Sequence, residues 1–454
     1  MAEFMHVSLI PGGTRTNQIA SAIAFALILG ALLALPGLGC LSLAEHADPD
    51  LPPDLPSLRV GTSGDYRPFS WGDGVRNGDG EHRYSGFSVG LARAYARETG
   101  RRVEWVPFRW AELEADLARG RFDLAVSGVT VRADRSIAGR FSLPVTVSGA
   151  VVLVPAASVF TDAAMLDRPD VRLAVNAGGH LERTARRLFP NAAIRPVAKN
   201  ADVLSQLDAT GIDAVVTDDL EAPHWLARRP GLRAIGPLTR DHKAAWFPKA
   251  ASEERTRFDR WLLEAEGDGR LARWRAEHGL PPARTAEPIA ALLASIDERL
   301  SLMSNVARAK QVLGRAIEDV AREARVLDAA VAAIDVEAKQ RSREALDSAA
   351  VRRFYRAQLE AAKAIQRDWA PPGSNPAIER ETFAQAELDL NARIRPALIE
   401  LGDRIARLVV IARASGDPPP TRDAVARALD RHALTDDDID AIHAGLVGLL
   451  SSAR

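Results

Sequence analysis

Between Leu58 and about Leu280 the chain alternates short apolar runs with amphipathic stretches. LRVGTS (58–63), VEWVPF (103–108), DLAVSGV (123–129), GAVVLVP (149–155), VRLAVN (171–176) and DAVVTD (213–218) are β-rich runs that predict strands. Between them, SVGLARAYARETG (88–100), AELEADLARG (111–120) and HLERTARRLF (180–189) carry helical spacing. Strands that alternate with helices predict α/β architecture with parallel sheets. Two such groups, joined near 154–170 and again near 237–247, predict two lobes with a cleft between them, the second lobe spanning about 155–240.

After Leu280-Pro281-Pro282 the pattern changes. Residues 286–370 and 376–415 have almost no β-type alternation, and apolar residues recur with the helical period, as in Ile289, Leu292, Leu293, Ile296, Leu300 and Met303. This predicts an all-α helical bundle. Pro371-Pro372-Gly373 and Asp417-Pro418-Pro419-Pro420 punctuate it, and residues 421–454 read as two more helices, the first capped by Thr421. The fold class is therefore multi-domain: a two-lobed α/β domain followed by an all-α bundle. The expected boundaries are a leader at 1–44, a linker at 45–57, the α/β domain at 58–283, the bundle at 284–415, and a helical tail at 416–454 packed on the bundle.

The leader is read from Ile19 to Leu35, an uncharged run that follows Arg15 and ends at Pro36-Gly37. Small residues at Ser42-Leu43-Ala44 complete a secretory signal with cleavage after Ala44. The run is shorter than the roughly 20 residues a spanning helix usually needs, so an uncleaved anchor fits less well. Lipidation at Cys40 is a third variant, but Gly37 and Leu38 stand in the reverse of the usual lipobox order. The expectation is a periplasmic or secreted protein, off the membrane once the leader is removed.

Composition narrows the chemistry. The 454 residues carry 59 basic and 60 acidic side chains, a net charge of −1 that gives no footprint for nucleic acid. One cysteine excludes an intramolecular disulfide and any Cys-built metal site. The nine histidines include no HxH or HExxH pairing, so neither a metal nor a cofactor is expected. Small-molecule substrates are the partners that remain; a homo-oligomer stays open, since either half could dimerise.

GTSGDYRPFSW (61–71), SGFSVGLA (85–92), GRFDLAVSGVTVRADR (120–135) and FSLP (141–144) resemble family 3 periplasmic solute-binding proteins. Within that scaffold, GDYRPFS, the block from Val106 to Gly128, VNAGGH (175–180) and TDDLEA (217–222) resemble the cyclohexadienyl dehydratases. The resemblance implies a two-lobed cleft that closes on a small carboxylate ligand. It places Arg135 as the bidentate carboxylate-binding cation, with Thr130, Ser127, Gly178 and Gly179 as further anion donors. Asp65, Tyr66, Trp110 and Asn176 are expected at the same cleft. Asp218 matches the acid that receives a ligand ammonium in amino-acid receptors. Glu221 matches the dehydratases' general acid, and Lys243 a holder of the second carboxylate. A carboxyl enclosed near other acids stays protonated and can donate to a leaving hydroxide. His180 stands where Thr is usual, and Ser88 and Gly90 replace the acids of ordinary transport receptors.

LLASIDERLSLMSNVARAK (292–310), AIEDVARE (316–323) and AQLEAAKAIQRDW (357–369) resemble the all-helical chorismate mutases of the exported subclass. Arg299 and Lys310 are about three helical turns apart and so point the same way. Gln358, Ala362 and Gln366 share one helix face. The resemblance implies that Lys310 and Gln366 flank the breaking ether oxygen, that Arg299, Arg322 and Arg395 grip the substrate carboxylates, and that Asp319 and Glu323 approach its hydroxyl. Ala362 stands where a hydroxyl side chain is frequent. Together the two resemblances imply an exported bifunctional enzyme, chorismate to prephenate and prephenate to phenylpyruvate, with arogenate as a second substrate. The alternatives are an amino-acid-binding receptor with an appended helical domain, and a chain in which the mutase alone is active.

Overall fold

A computed structural model describes residues 54–76, 82–208, 211–369 and 389–451. The leader, Cys40, most of the linker and the Pro371-Pro372-Gly373 break lie outside the described residues.

The α/β half contains two five-stranded sheets. In the first lobe Ser57–Thr62 pairs in parallel with Arg102–Pro107 on one side and Leu124–Ala125 on the other. Trp246–Phe247 then pairs antiparallel with Leu124–Ala125 and with Arg140–Phe141. In the second lobe Arg172–Asn176 lies in parallel between Ala193–Val197 and Ala214–Asp218. Ala150–Pro155 pairs antiparallel with Ala214–Asp218 and with Leu232–Ile235. The expectation of parallel sheets thus holds for three strands of each lobe, and both sheets are mixed. The reason is the double crossover: Thr146–Ser148 runs into Ala150–Pro155 with no helix to reverse it, and Asp241–Lys243 returns close to Trp246–Phe247. The two crossover segments pair antiparallel with each other.

Burial explains why the runs are so apolar. Ala214–Asp218 is buried along its whole length and Ala150–Pro155 up to its last residue, because layers cover both faces of the sheet. Val152 and Val154 join one core with Leu173, Val175 and Phe189. Val151 and Leu153 point the other way, into a core with Leu204, Val215 and Trp225.

Helices Ser252–Gly267 and Arg270–Glu277 close the α/β half. Arg275 makes a fully buried pair with Glu266, with two nitrogen–oxygen contacts of 2.8 Å, and its Nε donates to Val145 O beside the crossover.

The helical half begins with Pro288–Ser301 and Met303–Val312, which are separated at Leu302. Val320–Gln340, Ser348–Asp368 and Arg395–Ser415 follow, the last entered through a π-helical turn at Leu390–Ile394. Arg422–Leu429 and Asp436–Leu450 are the tail helices. Thr421 Oγ1 accepts from Ala424 N, and Thr435 and Asp438 form a capping box. The tail packs on Ser348–Asp368, where Gly445 leaves only 2.9 Å between an added Cβ and the backbone of Phe354.

The bundle seats directly on the α/β half. Ser136 Oγ donates to Glu298 at 2.8 Å, and Arg404 pairs with Glu298 and donates to Phe141 O. Arg140 pairs with Glu400. Asp297 receives Arg431 and His432 of the tail at 2.6 and 2.8 Å.

Candidate active sites

The first site lies between the lobes. Asp218 ends the central strand of the second lobe, and the turn that follows starts a short helix with Glu221 as its cap residue. Asp218 Oδ1 accepts from the backbone N–H of Leu220 and Glu221, which fixes that turn. Glu221 is 2% exposed. Thr217 donates to its Oε2 and Asn200 to its Oε1, each at 2.7 Å. Burial, then the neighbouring Asp218, push its pKa well above the ordinary carboxylate range. Thr217 was within the TDDLEA motif, but no sequence signal pointed to Asn200. It opens a 3₁₀ turn remote in sequence and also binds Asp65, through its backbone N–H and through its amide to the Asp65 carbonyl.

The first lobe supplies the opposite wall. Tyr66 donates to Asp218, and Lys243 reaches Asp218 at 3.2 Å, Tyr66 Oη at 3.0 Å and Thr130 Oγ1 at 3.0 Å. Burial and the facing carboxylates keep the Tyr66 phenol well above its usual range, and therefore neutral. Trp110 Nε1 donates to Asp65 and stands edge-on to Tyr66; burial raises the Asp65 carboxyl. Asp65, Tyr66, Trp110, Thr130, Asp218, Glu221 and Lys243 are thus brought together from both lobes.

The remaining expected residues have local partners. Ser127 Oγ bonds Ser63 Oγ at 2.8 Å, Asn176 donates to Val197 O at 3.4 Å, and Gly178 N donates to Glu182 at 2.7 Å. Gly178 has φ +72°, and Gly179 caps helix His180–Leu188. Arg135 is 1% exposed, donates to Thr130 O at 3.3 Å and lies 3.6 Å from Glu114. Burial and then the adjacent Arg132 bring its guanidinium down to about 9. Its Nε has no hydrogen-bond partner among the described residues.

The second site is a 230 Å³ cavity inside the bundle. Arg299, Lys310, Asp319, Arg322, Glu323, Gln366 and Arg395 all line it, so the structure brings together the whole expected set. Arg299 and Lys310 meet there across the break at Leu302. Lys310 Nζ donates to Ile317 O at 2.6 Å; burial and then Arg322 lower its pKa. Burial also lowers Arg299 and Arg322, with Arg395 adding to the effect at Arg322. Such crowded cations favour a bound dianion.

Asp319 has a double role: it lines the cavity, and its Oδ1 accepts from Arg322 N as the cap of Val320–Gln340. Lys363 pairs with Glu323 at 3.1 Å. Gln366 Nε2 is turned back to Ala362 O at 2.9 Å, and its Oε1 is unpartnered among the described residues. Gln358 is fully buried on the same helix and does not line the cavity. Apolar residues, including Met303, Val326, Leu359 and Leu398, form the rest of the wall. Among the described residues no three His, Cys, Asp or Glu side chains converge as metal ligands.

Comparison with known proteins follows the same division. Residues 58–280 match the bacterial extracellular solute-binding proteins, family 3, and residues 290–367 match chorismate mutase type II. The cyclohexadienyl dehydratase of Pseudomonas aeruginosa is 34% identical over 228 residues, 49% of this chain and 82% of that protein. The L-cystine-binding protein TcyJ of Escherichia coli is 27% identical over 192 residues, 42% and 70% of the two chains. Among solved structures, the ancestral amino acid-binding protein AncCDT-1, described as a precursor of cyclohexadienyl dehydratase, is 30% identical. It covers 49% of this chain and 95% of its own, with a TM-score of 0.44.

Proposed function

Since the chain belongs to the family 3 solute-binding proteins, as a homologue of cyclohexadienyl dehydratase, and carries a type II chorismate mutase domain behind that scaffold, we propose that it is an exported bifunctional enzyme. The bundle converts chorismate to prephenate, and the cleft converts prephenate to phenylpyruvate or arogenate to phenylalanine. The observation that carries this reading is Glu221, a buried carboxyl held by Asn200 and Thr217 beside Asp218. A receptor for amino acids needs one acid for the ligand ammonium; a second, protonated one serves a leaving group.

In the cleft, Glu221 gives its proton to the departing ring hydroxyl, which leaves as water. The bond from the ring to its carboxylate breaks at the same carbon skeleton, carbon dioxide departs, and its electron pair completes the aromatic ring. Arg135 and Lys243 hold the two carboxylates, with Thr130 and Ser127 at the first-lobe wall. Asn176, Gly178 and Gly179 face them from the second lobe. Asp65 and Trp110 orient Asn200, and through it Glu221.

In the bundle, rearrangement needs neither nucleophile nor proton transfer. Arg299, Arg322 and Arg395 hold the dicarboxylate in its compact conformer. Lys310 and Gln366 stabilise charge on the ether oxygen, the Gln366 amide rotating away from Ala362 O to do so, while Asp319 and Glu323 take the hydroxyl. Arg395 lies beyond the matched 290–367 span, so its role rests on the cavity geometry.

The test supplies chorismate to the purified protein and follows prephenate and phenylpyruvate together. Both should appear in turn; absence of phenylpyruvate from added prephenate would sink the dehydratase assignment. The relatives named for amino-acid binding favour a competing receptor reading, which requires tight amino-acid binding without turnover.

A further inference from the structure

A chamber of 920 Å³ opens where the α/β half meets the bundle, and it shares no lining residue with the mutase cavity. Its walls come from the first-lobe segment Val131–Asp134, from helix His180–Leu188, from the return segment 237–241, from bundle positions 301–308 and from tail residues 430–432. Six arginines line it against three aspartates. Two of those aspartates are already engaged: Asp134 by Arg132 and Arg183 at 2.6 and 3.0 Å, and Asp241 by His180 at 3.0 Å.

The cations divide in the same way. Arg431 is held by Asp297 at 2.6 Å. Arg187 of the second lobe, Arg240 of the return segment and Arg308 of the bundle make no ion pair or hydrogen bond among the described residues, and they come from three separate parts of the chain. Asn305 adds a donor: it is 3% exposed, lines the chamber, and its Nδ2 has no hydrogen-bond partner among the described residues. Three uncommitted guanidinium groups facing one volume concentrate field there and attract a small dianion. The volume falls within the range of small-molecule sites.

The position of the chamber is informative. Arg308 stands two residues before Lys310 on helix Met303–Val312, so the two leave opposite sides of that helix. Arg132 and Asp134 stand between Thr130 and Arg135 of the cleft, and Asp241 is two residues before Lys243. The chamber is therefore lined from the same chain segments that carry residues of both sites.

We propose that this chamber is a third dicarboxylate site, which holds the cyclohexadiene dianion released by the bundle before it enters the cleft. The inference rests on the bifunctional reading for its physiological ligand, and on Arg187, Arg240, Arg308 and Asn305 for its chemistry. It makes the intermediate's local concentration depend on charge and therefore on salt.

The experiment uses the full chain and the triple variant Arg187→Ser/Arg240→Ser/Arg308→Ser. In the first arm chorismate is supplied and the lag before phenylpyruvate appears is measured, beside each half's rate on its own saturating substrate. Wild type should show a shorter lag than the two separate rates require. The triple variant, or wild type in about 0.5 M salt, where the Debye length is about 4 Å, should show the full lag with both separate rates unchanged. In the second arm, cyclohexane-1,3-dicarboxylate, an unreactive probe, is titrated calorimetrically into both proteins; the triple variant should lose a binding event that wild type has, or weaken it about tenfold. Equal titrations, or a wild-type lag equal to the bulk value, would overturn the proposal. Failure of either half on its own substrate strikes the functional reading instead, and the probe titration still decides the chamber.

Discussion

His242, on the returning crossover strand, lies 3.9 Å from Asp297 of the first bundle helix. Burial brings the His242 imidazole down to about 4, so it is neutral near pH 7. The bundle thus touches the segment that joins the two lobes.

Asp297 is the fixed point of that contact. Burial opposes its charge, but Arg431, His432 and His242 outweigh burial and hold it down to about 2. A depressed carboxyl contributes stability above its ordinary pKa, and that contribution is lost as pH falls through the folded value. We expect Asp297→Asn to lower Tm by about 2–4 °C at pH 7, with the gap to wild type closing between about pH 4 and pH 2. Calorimetry across that range checks it; a gap that stays constant would refute the assignment.

Glu221→Gln should leave prephenate binding nearly intact and slow phenylpyruvate formation by about 10²–10⁴-fold. In wild type the rate should fall as pH rises through the elevated Glu221 pKa, because only the protonated carboxyl donates. Stopped assays of phenylpyruvate from pH 5 to 10 check the limb. A rate that rises with pH would exclude Glu221 as the acid.

Gln366 is neutral at every pH, so the rearrangement should run at a flat rate from about pH 5 to 8 and decline only on the alkaline side, as Lys310, lowered by burial and Arg322, loses its proton. Gln366→Glu should convert this into a rate that climbs toward low pH. A steep profile in wild type would contradict the role given to the amide.

Gly178 bears on closure of the lobes. It has φ +72°, and an added Cβ would stand 2.6 Å from the Ala111 backbone of the other lobe. Gly178→Ala should raise KM for prephenate and lower kcat/KM about tenfold, with chorismate turnover unchanged. Loss of both activities would instead point to a folding defect.

Much of this was legible in the chain. Five of the six apolar runs form interior strands of the two sheets, whereas VEWVPF forms the edge strand Arg102–Pro107, none of whose residues is buried; TDDLEA placed Asp218 and Glu221 three residues apart on one tight turn. The spacing from Arg299 to Lys310 put both at one cavity even though the helix breaks at Leu302. Long-range partners were not legible. Asn200 reaches Glu221 only because the second lobe folds a distant 3₁₀ turn over it, and no local pattern marks that. The antiparallel return strands follow from the double crossover, which a run of valines does not encode. Gln358 shares a face with Gln366, but two turns along the helix that face has left the cavity and entered the core.

Asp297, Glu298 and Arg299 are consecutive on one helix, and each successive side chain is turned about 100° from the last. Asp297 meets the tail, Glu298 meets the first lobe, and Arg299 lines the bundle cavity. A single turn is thus a three-way junction whose wiring depends on residue count. One residue inserted just before Asp297 would hand each neighbour the wrong side chain, and we expect both activities to fall together. The same insertion at Pro282, ahead of the helix, should spare them. Insertions and deletions, more than substitutions, are what this junction excludes.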